Sequence, residues 1–194
     1  MQGIAREIKT AMLFFIAFSL LTGLIYPLFM TGIIQMALPE KASGSLVVMD
    51  GRVIGSELIG QNFSGPGYFH GRPSAVGYMA NGSGGSNLGP TSDKLMEETQ
   101  KRIEYVRLEN GLSSDIPVPA DLVLASGSGL DPHISVEGAM LQVPRIAKSR
   151  GLPELEVRTL MNLSVEPIYL GTFGQDRVNV LRLNMKLDGL SKGG

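Results

Sequence analysis

Two short loops carry the side chains whose types and spacing could do chemistry. The first, Ser83-Gly84-Gly85-Ser86-Asn87-Leu88-Gly89-Pro90-Thr91, has glycine, glycine and threonine at the positions of a phosphate-binding loop, G-x-x-x-x-G-K-S/T. Backbone N–H groups ahead of a helix can hold an anion, so Ser83, Gly84, Gly85, Ser86 and Asn87 are candidate contacts for a nucleotide or another anion. Pro90 stands where that motif has its lysine, which removes an N–H and the charge that reaches the β- and γ-phosphates. The competing expectation is a structural turn with close backbone approach. The second loop, Ala125-Ser126-Gly127-Ser128-Gly129-Leu130-Asp131-Pro132-His133-Ile134-Ser135, crowds Ser126, Ser128, Asp131 and His133 together. A hydrolase triad needs such groups to converge in a hydrogen-bonded chain, usually from distant segments. Ser126 also falls at the first glycine of G-x-S-x-G rather than at its serine. The expectation is structural: Asp131 and Ser135 cap backbone amides, and His133 packs where the loop meets a helix.

Composition closes off other chemistries. Cysteine is absent, which excludes a thiol nucleophile, a disulfide, a Cys-ligated zinc and an iron–sulfur cluster. The two histidines, His70 and His133, leave little for a metal centre, and none is expected. Lys and Arg number 17 and Asp and Glu 18, so no basic field draws nucleic acid. No carboxylate pair stands out as a general acid and base. Asn62, Asn81 and Asn162 begin glycosylation sequons, a three-residue match that recurs by chance.

The elements that would position these loops follow an apolar start, which also explains a mean hydropathy of +0.14. No charge lies between Lys9 and Glu40. A bilayer core takes about 20 apolar residues as a helix, whereas the apolar region of a cleaved signal peptide is about 7–15. Residues 10–38 are therefore expected to be an uncleaved, single-pass signal-anchor through the lipid bilayer, kinked at Pro27. Arg6 and Lys9 before it favour a cytoplasmic N-terminus, residues 1–9. Residues 40–190 then form an extracytoplasmic domain, periplasmic in a cell with an outer membrane, and 191–194 a disordered tail.

That domain reads as α+β. Asp50-Gly51 between apolar runs predicts a hairpin. Residues 60–90 are rich in Gly, Ser, Asn and Pro, yet Phe63, Tyr68, Phe69 and Tyr78 mark them as ordered loop. Ser92 caps a helix to about Asn110, ended by Gly111, with Met96, Thr99, Ile103 and Val106 as its inner stripe. Ser135 caps a second, to about Arg150, interrupted by Pro144 and ended by Gly151; Val136, Met140, Val143 and Ala147 face inward. Pro153 starts a third, to about Leu163. Leu181, Leu183, Met185 and Leu187 alternate with polar residues, which predicts a closing half-buried strand.

Read in order, Gln61-Asn62-Phe63, Tyr68-Phe69-His70-Gly71-Arg72-Pro73-Ser74-Ala75, the two loops above, Gln142-Val143, Arg145-Ile146-Ala147-Lys148 and Val178-Asn179-Val180-Leu181 resemble the KdpC subunits of bacterial Kdp potassium-transporting ATPases. The resemblance spans the chain, including its single membrane helix. It implies a four-part inner-membrane complex for high-affinity potassium uptake. KdpA takes up potassium, KdpB hydrolyses ATP with Mg2+ through an aspartyl phosphate, and the small peptide KdpF stabilises them. It implies for this chain the role of a catalytic chaperone that raises the ATP affinity of KdpB and stabilises assembly, without a catalytic centre or cofactor of its own. The chain has no D-K-T-G-T phosphorylation sequence. Phe63, Tyr68, Phe69, Arg72 and Tyr78 are candidate partner contacts, since aromatics and arginine favour interface cores; alternatively these rings fill the domain's own core. A different class of reading is an anchored periplasmic ligand-binding or enzymatic domain.

Overall fold

The computed structural model describes residues 2–49, 51–168 and 174–190, in two units that divide between Leu46 and Val47. The first unit is helical. Helix α1 (Gln2–Leu20) passes through a π-helical turn (Leu21–Ile25) into α2 (Tyr26–Ala37), and a single-turn helix α3 (Pro39–Ala42) follows. The stretch Gly3–Ala37 is long and apolar enough to cross a membrane. Pro27 has no N–H for the helical ladder and its ring crowds the carbonyl four residues back. The ladder widens there: Tyr26 N–H reaches Leu21 O, five residues back.

The second unit is the α+β domain. Strands β1 (Leu46–Met49) and β2 (Arg52–Ser56) pair as a separate two-stranded sheet. Gly51 takes φ +74°, as the expected turn requires; Asp50 lies outside the described residues. After the long loop come α4 (Asp93–Asn110), a 3-10 turn (Ala120–Leu122), β3 (His133–Ser135) and α5 (Val136–Arg150). The chain continues through α6 (Glu154–Asn162), β4 (Val165–Glu166), β5 (Arg177–Asn179) and α7 (Val180–Leu190). Strand β5 lies between β3 and β4, antiparallel to both, with Val178 opposite Ile134 on one side and Val165 on the other. The core joins Ala139, Val143 and Ile146 of α5, Val157 and Met161 of α6, Leu183 and Leu187 of α7, Ile134 and Val178 of the sheet, and Phe69 of the loop.

The expected caps are present. Ser92 Oγ accepts from Leu95 N–H and Ser135 Oγ from Gly138 N–H, and Gly111 and Gly151 end their helices in the left-handed region. Three expectations need correction. Helix α5 runs unbroken through Pro144. Met96 points outward, 56% exposed, and the inner face of α4 is formed by Thr99, Ile103 and Val106 with Leu95 beside them. The closing segment is a strand of only three residues followed by a helix, not a half-buried strand to Leu187. Val180, Leu183, Asn184 and Leu187 form one buried helical stripe, and Asn179 Oδ1 caps the helix by accepting from Arg182 N–H at 3.1 Å. The tail at 191–194 lies outside the described residues.

Candidate functional site

The long loop is an ordered strap because side chains of the surrounding helices take its backbone groups one after another. Arg145 donates to the carbonyls of Pro66 and, at 3.0 Å, Tyr68. Arg150 Nε donates to Gly67 O at 2.6 Å. Asn184 Nδ2 donates to Phe69 O at 2.9 Å, while its Oδ1 accepts from Phe69 N–H at 2.8 Å. Gln142 treats His70 the same way, Nε2 to O at 3.2 Å and Oε1 from N–H at 2.8 Å. The carbonyls of residues 66 to 70 are thus all received by side chains of α5 and α7. A buried backbone group without a partner costs about 1–3 kcal/mol, so this strap replaces a strand ladder with side-chain amides and guanidinium groups.

The strap holds the aromatic candidates inside the domain. Phe69 is fully buried and Phe63 packs against the core. The Phe63 and Tyr68 rings lie 5.6 Å apart, and Arg150 stacks over Tyr68 at 4.6 Å. Tyr78 donates its O–H to Arg72 O, and Arg72 Nη1 bonds Asp131 Oδ2 at 3.1 Å. Tyr78 sits at φ +59°, a region costly for a bulky residue, where its N–H reaches Ser74 Oγ at 2.9 Å. Burial, with the charge of Asp131 second, pushes its phenol above the ordinary value. A cavity of about 260 Å³ lies between strap and α4, walled by Phe63, His70, Arg72, Tyr78, Tyr105 and Glu109.

The two chemistry-bearing loops pack on each other. Gly84 N–H donates to Ser128 O at 2.9 Å, and Ser83 Oγ donates to the same carbonyl at 3.2 Å. Gly129 has φ +67°, and a Cβ there would stand 2.8 Å from Gly84 O and 2.6 Å from Val76 Cγ2. This is close backbone approach. Of the candidate anion contacts, the Gly84 amide is already committed to protein; Gly85 approaches Gly127 O, and Asn87 adopts φ +54°. No strand leads into the loop among the described residues. In the second loop Asp131 Oδ1 accepts from His133 N–H at 3.0 Å and Ser128 Oγ from Leu130 N–H at 3.1 Å. Ser126 is buried, its N–H bonded to Pro73 O.

A triad requires one imidazole nitrogen toward a carboxylate and the other toward the serine. His133 points both at carboxylates, Nδ1 at 3.7 Å from Asp131 and Nε2 at 3.5 Å from Glu166. Burial alone would raise the Asp131 carboxyl, but hydrogen bonds from His133 and the Arg72 charge leave it below its usual value. Among the described residues no group of three or more His, Asp or Glu side chains is arranged to hold a metal.

His70 is the other imidazole, also half-buried. Its Nε2 lies 3.0 Å from Gly65 O and its Nδ1 3.3 Å from Glu109 Oε2. Burial pulls its pKa below the ordinary value and Arg145 adds to this, against the raising effects of Gly65 and Glu109. The unfolded chain then binds the proton more readily, so the His70 contribution is intact above about pH 6.5 and is lost as pH falls below it. Thermal unfolding of the full chain between pH 8 and pH 5 should show that loss. His70→Gln should flatten the slope, and an unchanged slope would remove His70 as its source.

The fold and these loops define a class: an α+β domain that follows one long apolar helix, its loop side chains engaged in packing and backbone hydrogen bonds. The family is specific. The family model for KdpC, described as K+-transporting ATPase, c chain, matches residues 8–189, and the chain belongs to that family. Relatives named potassium-transporting ATPase KdpC subunit include that of Nitratidesulfovibrio vulgaris, 56% identical over 171 residues covering 87% of this chain and 86% of the relative. That of Cereibacter sphaeroides is 51% identical, covering 94% and 96%, and that of Caldanaerobacter subterraneus 49% identical, covering 94% of both.

Sequence reasoning missed the residues that hold the strap. Gln142 and Arg145 were legible only as part of the family resemblance, and Asn184 only as the polar half of an alternation. The available signal was a polar side chain at a helical core position, which a buried backbone partner explains.

Proposed function

We propose that this chain is a non-catalytic subunit of the inner-membrane Kdp complex whose domain, residues 40–190, lies outside the cytoplasm. Residues 10–38 anchor it beside KdpA, KdpB and KdpF. It stabilises their assembly and acts as a catalytic chaperone, raising the ATP affinity of KdpB. The observation that supports this is a long apolar helix with Arg6 and Lys9 on its N-terminal side, a charge bias that favours the N-terminus inside and the domain on the side away from ATP. A domain on that side raises ATP affinity by binding preferentially the state of the complex that binds ATP; no nucleotide contact is needed, and linkage requires only differential affinity for the two states. ATP and Mg2+ act at KdpB, and the Ser83–Asn87 loop serves as a structural turn. The outer domain sits over the extracellular mouth of KdpA.

The test is topology. The chain lacks cysteine, so single substitutions Ser43→Cys, Ser113→Cys and Ser191→Cys can be labelled by a membrane-impermeant thiol reagent on intact spheroplasts. Labelling at all three supports the reading. Protection at all three, relieved by lysis, would place the domain with ATP and revive the nucleotide loop. The cavity under the strap favours a second reading, an anchored ligand-binding domain. Tight binding of a small molecule by the full chain in detergent, together with failure to copurify with the other subunits, would support it instead.

A further inference from the structure

We propose that the β1–β2 hairpin is a strand-pairing dock for an extended segment of a membrane-embedded protein subunit. Strands β1 and β2 form a sheet of their own, apart from the three-stranded sheet of the domain. A two-stranded ribbon is at best marginal in water and needs an apolar face covered. Here the domain covers only its base, where Ser56 is buried and Gly55 half-buried beside Leu181; Val48 and Val53 are 58% and 60% exposed, and Met49, Ile54 and Leu58 are exposed as well. Val53 and Ile54 are successive residues of one strand, so they project from opposite faces, and both faces are exposed at that point.

The backbone points the same way. Strand β2 is tied to the domain, Ile54 O accepting from Gln61 Nε2 at 3.3 Å and Ser56 O from Ile59 N–H. Among the described residues no hydrogen bond from outside the hairpin reaches Leu46–Met49. An exposed, aliphatic edge strand is a template for another strand, and main-chain pairing along it is a recurrent mode of recognition.

Charge and composition decide what pairs there. Residues 46–56 hold one acid, Asp50, and one base, Arg52, and no lysine, tryptophan or tyrosine. A lipid surface is met by basic and interfacial aromatic residues, and an open strand edge is not tolerated in hydrocarbon. The occupant is therefore protein with an extended, apolar segment. It emerges near the membrane, because the eleven residue-to-residue steps from Ala37 to Val48 reach at most about 35–40 Å. This rests on the reading of the domain as the outer part of a membrane complex, and it names the surface and chemistry of one contact within it.

A photo-crosslinking amino acid at Val48, in the full complex in its native membrane, is expected to join this chain to another subunit at an extended segment. Val48→Glu and Val53→Glu together are expected to lower recovery of the assembled complex about tenfold or more, because each would bury a charge on docking. The unfolding midpoint of the free chain should stay unchanged, since both side chains are exposed. Crosslinks to lipid, or to a second copy of this chain, would overturn the proposal. So would full recovery of the complex with both charges in place. Outside labelling of Ser113→Cys with no protein crosslink from Val48 would overturn the dock and leave the topology standing.

Discussion

Arg145→Met is expected to lower the stability of the α+β domain by about 3–5 kcal/mol, because it leaves several acceptors without a donor at about 1–3 kcal/mol for each one buried. The Arg145 guanidinium is buried on α5 and every nitrogen is occupied. Its Nε donates to Asn110 Oδ1 at 3.0 Å, Nη1 to Pro66 O, and Nη2 to both Tyr68 O and, at 2.9 Å, Gln142 Oε1. These acceptors come from α4, from the strap and from α5 itself, so one side chain fixes the strap to two helices. Methionine keeps much of the apolar length and supplies no donor, leaving two strap carbonyls and Asn110 Oδ1 without the bonds that Arg145 made. Arg145→Lys should recover only part of the loss, since an ammonium cannot reproduce a planar fork with donors in several directions. Denaturant unfolding of the full chain in detergent measures both variants. A loss below about 1 kcal/mol for Arg145→Met would mean that water replaces these bonds and that the network does not hold the strap.

The parts of this fold that were legible in sequence are those whose cause is local. Ser92, Ser135, Gly111 and Gly151 mark their helix ends because a cap is made by residues three or four positions apart. The membrane helix was legible from length and absence of charge alone, although its π-helical turn before Pro27 was not. The closing helix was misread for a physical reason. Residues 181, 183, 185 and 187 are apolar in alternation, and the same segment carries a helical stripe at 180, 183, 184 and 187. Asn184 in that stripe disguises it, because a buried amide reads as a surface residue until its partner is known. Strands β3 and β4, of three and two residues, are too short to display a period. The strap was expected to be ordered from its aromatics, but what orders it lies 72 to 115 positions away in sequence, at Gln142 and Asn184. No local pattern encodes that. The caps made by Asp131 and Ser135 in the second loop were legible because they too are local, while the packing of the two candidate loops on each other depended on the same distant folding.

Asn184→Leu and Gln142→Leu are each expected to cost about 2–4 kcal/mol, and together less than the sum of the two. Each amide satisfies both backbone groups of one strap residue, Asn184 those of Phe69 and Gln142 those of His70. Leucine has the branching and heavy-atom number of asparagine and one heavy atom fewer than glutamine, so the loss reports chiefly unpaired backbone rather than a large cavity. The two clamps hold adjacent residues from opposite helices, α7 and α5, and between them Phe69 is driven into the core. Releasing one clamp lets the strap lift at Phe69, which removes the geometry the other clamp needs. A coupling of about 1–2 kcal/mol in the double-mutant cycle follows for groups in one such network. Hydrogen exchange gives a second reading of the same event. The N–H groups of Phe69 and His70 should exchange at rates set by global unfolding in the unaltered chain, and by local opening in either single variant. Additivity to within about 0.5 kcal/mol, with His70 N–H still protected in Asn184→Leu, would mean that the clamps act independently and the strap is not one cooperative element.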